Sequence, residues 1–246
     1  MTMHQGHRHR LRERFRMEGL ESFAPHEVLE LLLFFSRARG NTNPLAHRLL
    51  DTFGSLKGVF EAPVDQLCTV DGVGEETATL LSMMVPLFRR YELCRCEEEK
   101  HLIHMQEVRD YCRALLTGLR KERFYLISLS AQHKVLGHRL LAEGSLAEVP
   151  AYPRQVAETA LNHNAYSVIL CHNHPGGDAR ASLADVEVTR ELETVLAKLG
   201  ILLADHIIVG DQRTYSMVLN NDYCYSLERD MQTYFQEEDD EENAPL

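Results

Sequence analysis

One stretch in the C-terminal half combines a buried strand with a histidine pair. The run at residues 165–171 is apolar, with adjacent β-branched residues at its centre, and predicts a buried strand. His172 and His174 follow directly, and side chains two residues apart on a strand point the same way. Pro175-Gly176-Gly177 then turns the chain. We therefore expect both imidazoles to face one point at the strand's end.

A carboxylate and a hydroxyl follow within the next few residues. Asp185 stands in the first turn of a helix predicted to run to about Leu199 and to be closed by Gly200. Two neutral imidazoles and one carboxylate are the ligand set of an open zinc site, with water in the fourth position. Ser182 and Asp185 also have the spacing of a capping box, which alone explains both residues at a helix start. Both interpretations stay open at this point.

The order of these residues resembles a known metal motif. His-x-His-Pro-x(7)-Ser-x-x-Asp, from His172 to Asp185, is similar to the motif of JAMM (MPN+) metalloproteases. The flanking residues resemble the RadC branch of that superfamily, and the resemblance covers roughly residues 10–225. Gly176 and Ala181 stand where that branch usually has Ser and Pro, and neither position is a ligand. The matching flanks are Tyr152-Pro153-Arg154, the segment at 161–165 and the segment at 204–210.

The resemblance also implies a glutamate that acts on the metal-bound water. In JAMM sites this glutamate lies at the start of the strand that follows the domain's first helix. Residues 107–119 read as that helix and residues 121–129 as that strand, which makes Glu122 the matching residue. An ordinary solvated glutamate is the alternative interpretation, and Glu143 is the next candidate for the role.

These residue types predict hydrolysis of an amide bond, in a peptide or an isopeptide. Zinc at His172, His174 and Asp185 would lower the pKa of its water from about 15.7 toward 7. Glu122 would take the proton and deliver it to the leaving amine. Ser182 would donate a hydrogen bond to the developing oxyanion, a contribution of about 3 kcal/mol when well placed.

Neighbouring residues are expected to stay outside the ligand set. Cys171 precedes His172 and should face the opposite side of the strand, as a small buried residue. His206 is expected to be a structural hydrogen-bonding residue rather than a fourth ligand, and His163 is expected to be exposed. Tyr152-Pro153-Arg154 either orients a loop or meets substrate.

The first 97 residues predict a helical domain. The segment Val70-Asp-Gly72-Val-Gly74 before an apolar helix resembles a helix-hairpin-helix, a motif that presents backbone N–H groups to a nucleic-acid phosphate. Glu75 and Glu76 lie where a phosphate would approach, so a hairpin that serves only packing is the alternative. The arginine-rich segment at residues 8–16 either adds phosphate contacts or forms a solvated helix face.

Composition and charge patterns predict the cellular location of the protein and a disordered C-terminal tail. The chain has 246 residues and a formal net charge of −11, and its six cysteines show no disulfide-like spacing. With no bilayer-spanning run and no signal peptide in the sequence, we expect a cytoplasmic protein without a membrane partner. The acidic block at 237–242 predicts a disordered tail over residues 227–246.

The predicted architecture is a helical domain over residues 1–97 and an α/β domain over residues 101–226. The resemblance implies the MPN arrangement for the second domain. A zinc-dependent peptidase or isopeptidase acting on a protein or peptide is the first functional hypothesis. A DNA-associated repair or recombination accessory protein is the second, and a nuclease is ranked last. Strands are predicted near 124–130, 134–143, 166–172, 203–209 and 214–219, with helices near 104–119, 153–163 and 183–199.

Overall fold

A computed structural model describes residues 3–99, 101–144, 153–175, 177–211, 213–220 and 222. Tyr152, Gly176 and the predicted acidic tail lie outside the described residues. The chain forms two compact units, residues 1–88 and 89–246. Among the described residues, no helix combines the length and the apolar character needed to cross a bilayer.

The first unit is helical, as predicted. Its core is formed by apolar side chains from five of its helices and from the hairpin loop that precedes α6, among them Leu29, Leu49, Val59 and Leu81. Leu11 on α1 packs in a separate small cluster against α2. The helices are α1 (Met3–Glu18), α2 (Pro25–Ser36), α3 (Asn43–Phe53), α4 (Leu56–Glu61), α5 (Val64–Leu67), α6 (Glu75–Ser82) and α7 (Met84–Glu99), which continues into the second unit.

The glycine-containing hairpin between α5 and α6 packs against this core. Val70 and Val73 are buried, and the Val73 N–H donates to the Val70 carbonyl across 2.9 Å. Gly72 has φ +89°, a conformation that favours glycine, and Gly74 is the N-cap of α6. The hairpin therefore packs against the core of the first unit through its two valines.

Two arginine side chains contact this hairpin, one from the C-terminal end of α2 and one from α3. Arg37 donates to the Gly72 carbonyl and Arg48 to the Asp71 carbonyl, each across 3.1 Å. Glu75 and Glu76 are exposed in the first turn of α6. Cationic side chains thus contact the hairpin near Gly72, and anionic side chains begin the helix that follows Gly74.

The second unit is built on a mixed five-stranded sheet, which confirms the predicted α+β class. The strand order is β2-β1-β3-β4-β5. β1 pairs antiparallel with β2 and β3, β3 pairs parallel with β4, and β5 closes the other edge antiparallel to β4. The strands are β1 (Arg123–Leu129), β2 (Val135–Glu143), β3 (Ser167–Asn173), β4 (Leu202–Val209) and β5 (Thr214–Ser216).

Helices cover both faces of this sheet. α8 (Met105–Leu116) packs on one face, over Ile127, Cys171 and Ile207. α9 (Pro153–Asn162) and α10 (Leu183–Lys198) pack on the other, over Leu126 and Leu170. Because helices cover both sides of β3, all seven of its residues are buried.

The observed bounds in the second unit agree with the predicted ones to within three residues, and the largest differences are at the C-terminal ends of α8 and of the last strand. β5 ends at Ser216, whereas the prediction continued to residue 219. Residues 217–220 form a turn, in which the Asn220 N–H donates to the Ser216 carbonyl. The apolar sequence Met217-Val218-Leu219 is compatible with a strand and with this partly buried turn, so the apolar pattern wrongly predicted a longer strand.

Candidate metal centre

The two histidines lie at the C-terminal end of β3 and face the same side of the sheet. His172 is fully buried and His174 is half-buried. Their Nε2 atoms lie 2.9 Å apart. The two-residue period of the strand produces this convergence, as the sequence predicts.

Asp185 reaches the same point from the first turn of α10. Its carboxylate oxygens lie 3.2 Å from His172 Nε2 and 3.5 Å from His174 Nε2. The capping box is also present, because the Asp185 N–H donates to Ser182 Oγ and the Ser182 N–H donates to the Asp185 carboxylate. The cap and the approach to the imidazoles are therefore compatible, and the cap fixes the helix start that aims Asp185 at the histidines.

Ser182 is exposed, and its side chain contacts Asp185. Its hydroxyl donates to Asp185 Oδ2 across 2.7 Å. The predicted hydrogen bond to an oxyanion therefore needs this hydroxyl to turn away from Asp185. In the conformation described, Ser182 orients the carboxylate.

The register of β1 and β3 brings Glu122 to the same site. Phe124 pairs with His172, so the antiparallel register continued by two residues sets Glu122 opposite His174. Ligand atoms of Glu122, His172 and His174 lie within 4.8 Å of one another, and this group can hold a metal ion. Glu122 is half-buried. The structure therefore brings together all four acidic and histidine residues that the sequence singles out.

A hydrogen bond behind His174 fixes its tautomer. Its Nδ1 lies 2.7 Å from the backbone carbonyl of Asp178. A carbonyl only accepts, so Nδ1 carries the proton and Nε2 carries the lone pair. Outer hydrogen bonds of this kind are typical of imidazoles that bind a metal through the other nitrogen.

His172 is fixed by a longer chain of hydrogen bonds. The Thr189 hydroxyl donates to the Asp185 carbonyl across 2.5 Å, so it accepts from His206 Nδ1 at 2.6 Å. His206 Nε2 is then unprotonated and accepts from His172 Nδ1 at 2.8 Å. These hydrogen bonds leave the lone pair of His172 on Nε2, facing His174.

His206 is a buried neutral residue behind the site. Burial, with the nearby His172, holds the pKa of His206 well below its ordinary value. Its Nε2 is already engaged by His172, which agrees with the expected structural role rather than that of a fourth ligand. Sequence reasoning missed Thr189, whose contact depends on how α10 packs against β4.

Charge at the site favours a cation. Burial raises the pKa of Asp185, but the adjacent imidazoles of His172 and His174, when their Nε2 atoms carry protons, and the Ser182 hydroxyl outweigh burial and keep that pKa well below its ordinary value. The hydrogen bond with Asp185 raises the pKa of His174. Without a metal, a proton thus competes for the lone pair of His174 Nε2.

The donor set fits zinc. Two unprotonated imidazole nitrogens 2.9 Å apart repel each other unless a cation or a shared proton lies between them. Adding the carboxylate of Asp185 gives two nitrogen ligands and one oxygen ligand, a combination used by catalytic zinc sites. The outer hydrogen bonds to Asp178 and His206 supply the support that such ligands usually have.

The other residues considered in the sequence lie elsewhere. Glu143 accepts from Arg123 at 2.9 Å and from Lys121 at 3.3 Å, and these contacts hold the pKa of Glu143 below its ordinary value. Cys171 is buried on the α8 side of the sheet, as predicted. His163 is half-buried rather than exposed, because its Nδ1 bonds Ser128 Oγ at 2.9 Å.

Comparison with known proteins agrees with this geometry. Residues 102–222 match the family described as "RadC-like JAB domain", and residues 4–79 match the family described as "UPF0758 N-terminal". The first match contains the histidine pair, Asp185 and Glu122. Together the two matches cover most of the chain.

Curated relatives extend the likeness over nearly the whole length. A UPF0758 protein of Ruegeria pomeroyi is 38% identical over 204 residues, which is 83% of this chain and 91% of the relative. One from Rhodobacter capsulatus is 36% identical over 206 residues, 84% of this chain and 96% of the relative. One from Fusobacterium nucleatum is 36% identical over 225 residues, 87% of this chain and 95% of the relative.

Proposed function

We propose that this chain, which belongs to the UPF0758 family of proteins with a RadC-like JAB domain, is a zinc-dependent hydrolase of peptide or isopeptide bonds. The observation that carries the proposal is the convergence of two imidazole nitrogens, the Asp185 carboxylate and the Glu122 carboxylate at the C-terminal end of β3. JAB domains share their fold with JAMM metalloproteases, which supports amide hydrolysis over other zinc chemistry.

In this proposal His172, His174 and Asp185 hold the zinc. Zinc held there would lower the pKa of a coordinated water to about 7 and would polarise the substrate carbonyl. The hydrogen bonds to Asp178 and His206 hold the imidazole protons on the two Nδ1 atoms, so that each Nε2 turns its lone pair toward the metal.

Glu122 is the proposed general base and acid. It directly precedes β1, whereas His172 lies on β3 and Asp185 on α10, and its carboxylate lies close to both histidines. It accepts the proton of the attacking water and donates it to the nitrogen of the leaving amine, so the peptide bond breaks without release of a charged amide anion. Ser182 turns its hydroxyl from Asp185 to the oxygen of the tetrahedral intermediate.

The experiment is a peptidase screen with matched variants. Wild type is assayed against a peptide library and isopeptide-linked substrates, with and without a zinc chelator, beside Glu122→Gln. We expect chelator-sensitive cleavage in wild type and a loss of about 10²–10⁴-fold in Glu122→Gln, with zinc retained. Cleavage that continues in Glu122→Gln at the wild-type rate would contradict the role of Glu122.

DNA association is a second candidate function. The observation that favours it is the pair of guanidinium groups, from Arg37 and Arg48, at the hairpin of the first unit. Binding of a labelled duplex at increasing salt tests it, with Arg37→Ala/Arg48→Ala as the variant. Each lost phosphate contact should reduce the salt slope by about 0.9. Equal DNA binding by wild type and variant would show that the arginines at the hairpin do not contact DNA.

A further inference from the structure

The residue between the two histidines has no place in the ligand set. Asn173 follows His172 on β3, so its side chain leaves the strand on the opposite side from both imidazoles. It is 4% exposed. A buried amide needs partners for two donors and an acceptor, so the positions of those partners show what the residue does.

All of the described partners of Asn173 are backbone groups around Glu122. Its Oδ1 accepts from the Arg123 N–H across 2.8 Å. Its Nδ2 donates to the Lys121 carbonyl across 3.1 Å and to the Leu119 carbonyl across 3.4 Å. One side chain thus binds the chain on both sides of Glu122, about 50 residues away in sequence.

This segment lies between α8 and β1, and the Glu143 side chain also binds it, at Lys121 and Arg123. α8 ends at Leu116, Gly118 has φ +72°, and residues 117–122 belong to neither a helix nor a strand. The regular pairing of β1 with β3 stops at Phe124 and His172. Beyond that pair, the Asn173 side chain takes the place of the ladder, and the Gly144 N–H binds the Glu122 carbonyl at 2.9 Å from the other side.

We propose that Asn173 is a positioning residue, which holds the Glu122 carboxylate in place over the His172–His174 pair by clamping the backbone on both sides of Glu122. The inference rests on the proposed function, because it assigns Asn173 a role through Glu122. The strand that supplies two ligands thereby also sets the distance between the ligands and the general base. A displacement of about 1 Å at such a group costs about a hundredfold in rate.

The first test measures the clamp itself, without any substrate. Asn173→Ala should lose hydrogen-exchange protection at the Arg123 amide, because that N–H loses its acceptor. Its zinc content should equal that of wild type, since all three ligands remain. Unchanged exchange at Arg123, or loss of zinc from this variant, would overturn the proposal.

The second test asks whether Asn173 acts through Glu122. In the wild-type background Asn173→Ala should lower kcat about a hundredfold with a smaller change in KM. In the Glu122→Gln background the same substitution should cost almost nothing further, because the group it positions is gone. Equal losses in both backgrounds would show that Asn173 acts independently, which contradicts the proposal.

A control variant separates positioning from general loss of stability. Ser128→Ala is the control, because Ser128 is buried near the other end of β1 and bonds His163. It should leave kcat and the exchange at Arg123 unchanged.

The outcomes also separate this proposal from the proposed function. Full activity in Glu122→Gln would refute the general base, whatever Asn173→Ala does. An inactive Glu122→Gln beside a fully active Asn173→Ala would refute the positioning role alone.

Discussion

At the scale of single residues, the hydroxyl of Thr189 decides which nitrogen of two histidines carries a proton. It donates to the Asp185 carbonyl and accepts from His206, so His206 accepts from His172. Through these two hydrogen bonds, the lone pair of His172 Nε2 is directed at the candidate metal centre. No sequence pattern shows this chain, because its members come from three elements that meet only in the fold.

Removing that hydroxyl should weaken zinc binding without removing a ligand. We expect Thr189→Val to lower zinc affinity about 10–100-fold, because the tautomer of His172 is no longer fixed. Competition against a chelating dye measures the affinity. Thr159→Val is the matched control, since Thr159 is also buried on a helix and donates to the carbonyl four residues earlier. Equal affinity in the two variants would contradict the relay.

Asp205 gives a pH dependence that can be measured at a single residue. Burial raises the pKa of Asp205 to about 7, although the Ser216 hydroxyl and the N–H groups of His206 and Val218 donate to it. A raised pKa means that the folded protein binds this proton more tightly than the unfolded chain does. The stability from Asp205 is therefore complete below about pH 4, the ordinary range of a carboxyl group, and is lost as the pH rises through about 7.

Asp205→Asn should accordingly stabilise the protein above pH 7 and change little at pH 4. The difference between about 7 and the ordinary 3.8 corresponds to an upper bound of roughly 4 kcal/mol. Denaturant unfolding of wild type and variant at pH 4, 6 and 8 provides the measurement. A stability difference that does not grow between pH 4 and pH 8 would show that Asp205 is ionised throughout.

At the scale of elements, the sequence predicts the strand, turn and helix that carry the ligands but not the pairings that complete the site. The period-two spacing of His172 and His174 and the cap at Ser182 are local signals, and both appear in the structure as predicted. The resemblance supplied Glu122, because composition does not distinguish it from Glu143. The antiparallel register of β1 and β3, which connects positions about 50 residues apart, decides between them.

The cap of α10 should matter for activity as well as for stability. Ser182→Ala removes an N-cap and the proposed oxyanion donor, so we expect a stability loss of about 1 kcal/mol and a fall in kcat of about 10²–10³-fold. Ser55→Ala removes the comparable cap of α4, where Ser55 Oγ accepts from the Gly58 N–H. Thermal unfolding and peptidase assays compare the two. Identical kcat in both variants would limit Ser182 to capping.

At the scale of the whole molecule, charge separates the two functional hypotheses. The net charge of −11 opposes general binding to nucleic acid, and several arginines of the N-terminal segment have partners within the first unit. Arg8 donates to the carbonyls of Arg37, Ala38 and Gly40, and Arg14 pairs with Glu27. That segment is a helix, α1, so part of its positive charge serves the packing of the unit.

Metal content tests the central claim most directly. Wild type, Glu122→Gln and His174→Ala are purified without chelators and analysed for zinc by elemental analysis. The account predicts about one zinc per chain in wild type and in Glu122→Gln, and none in His174→Ala. Wild type without zinc that also fails to take up added zinc, or His174→Ala with as much zinc as wild type, would contradict it.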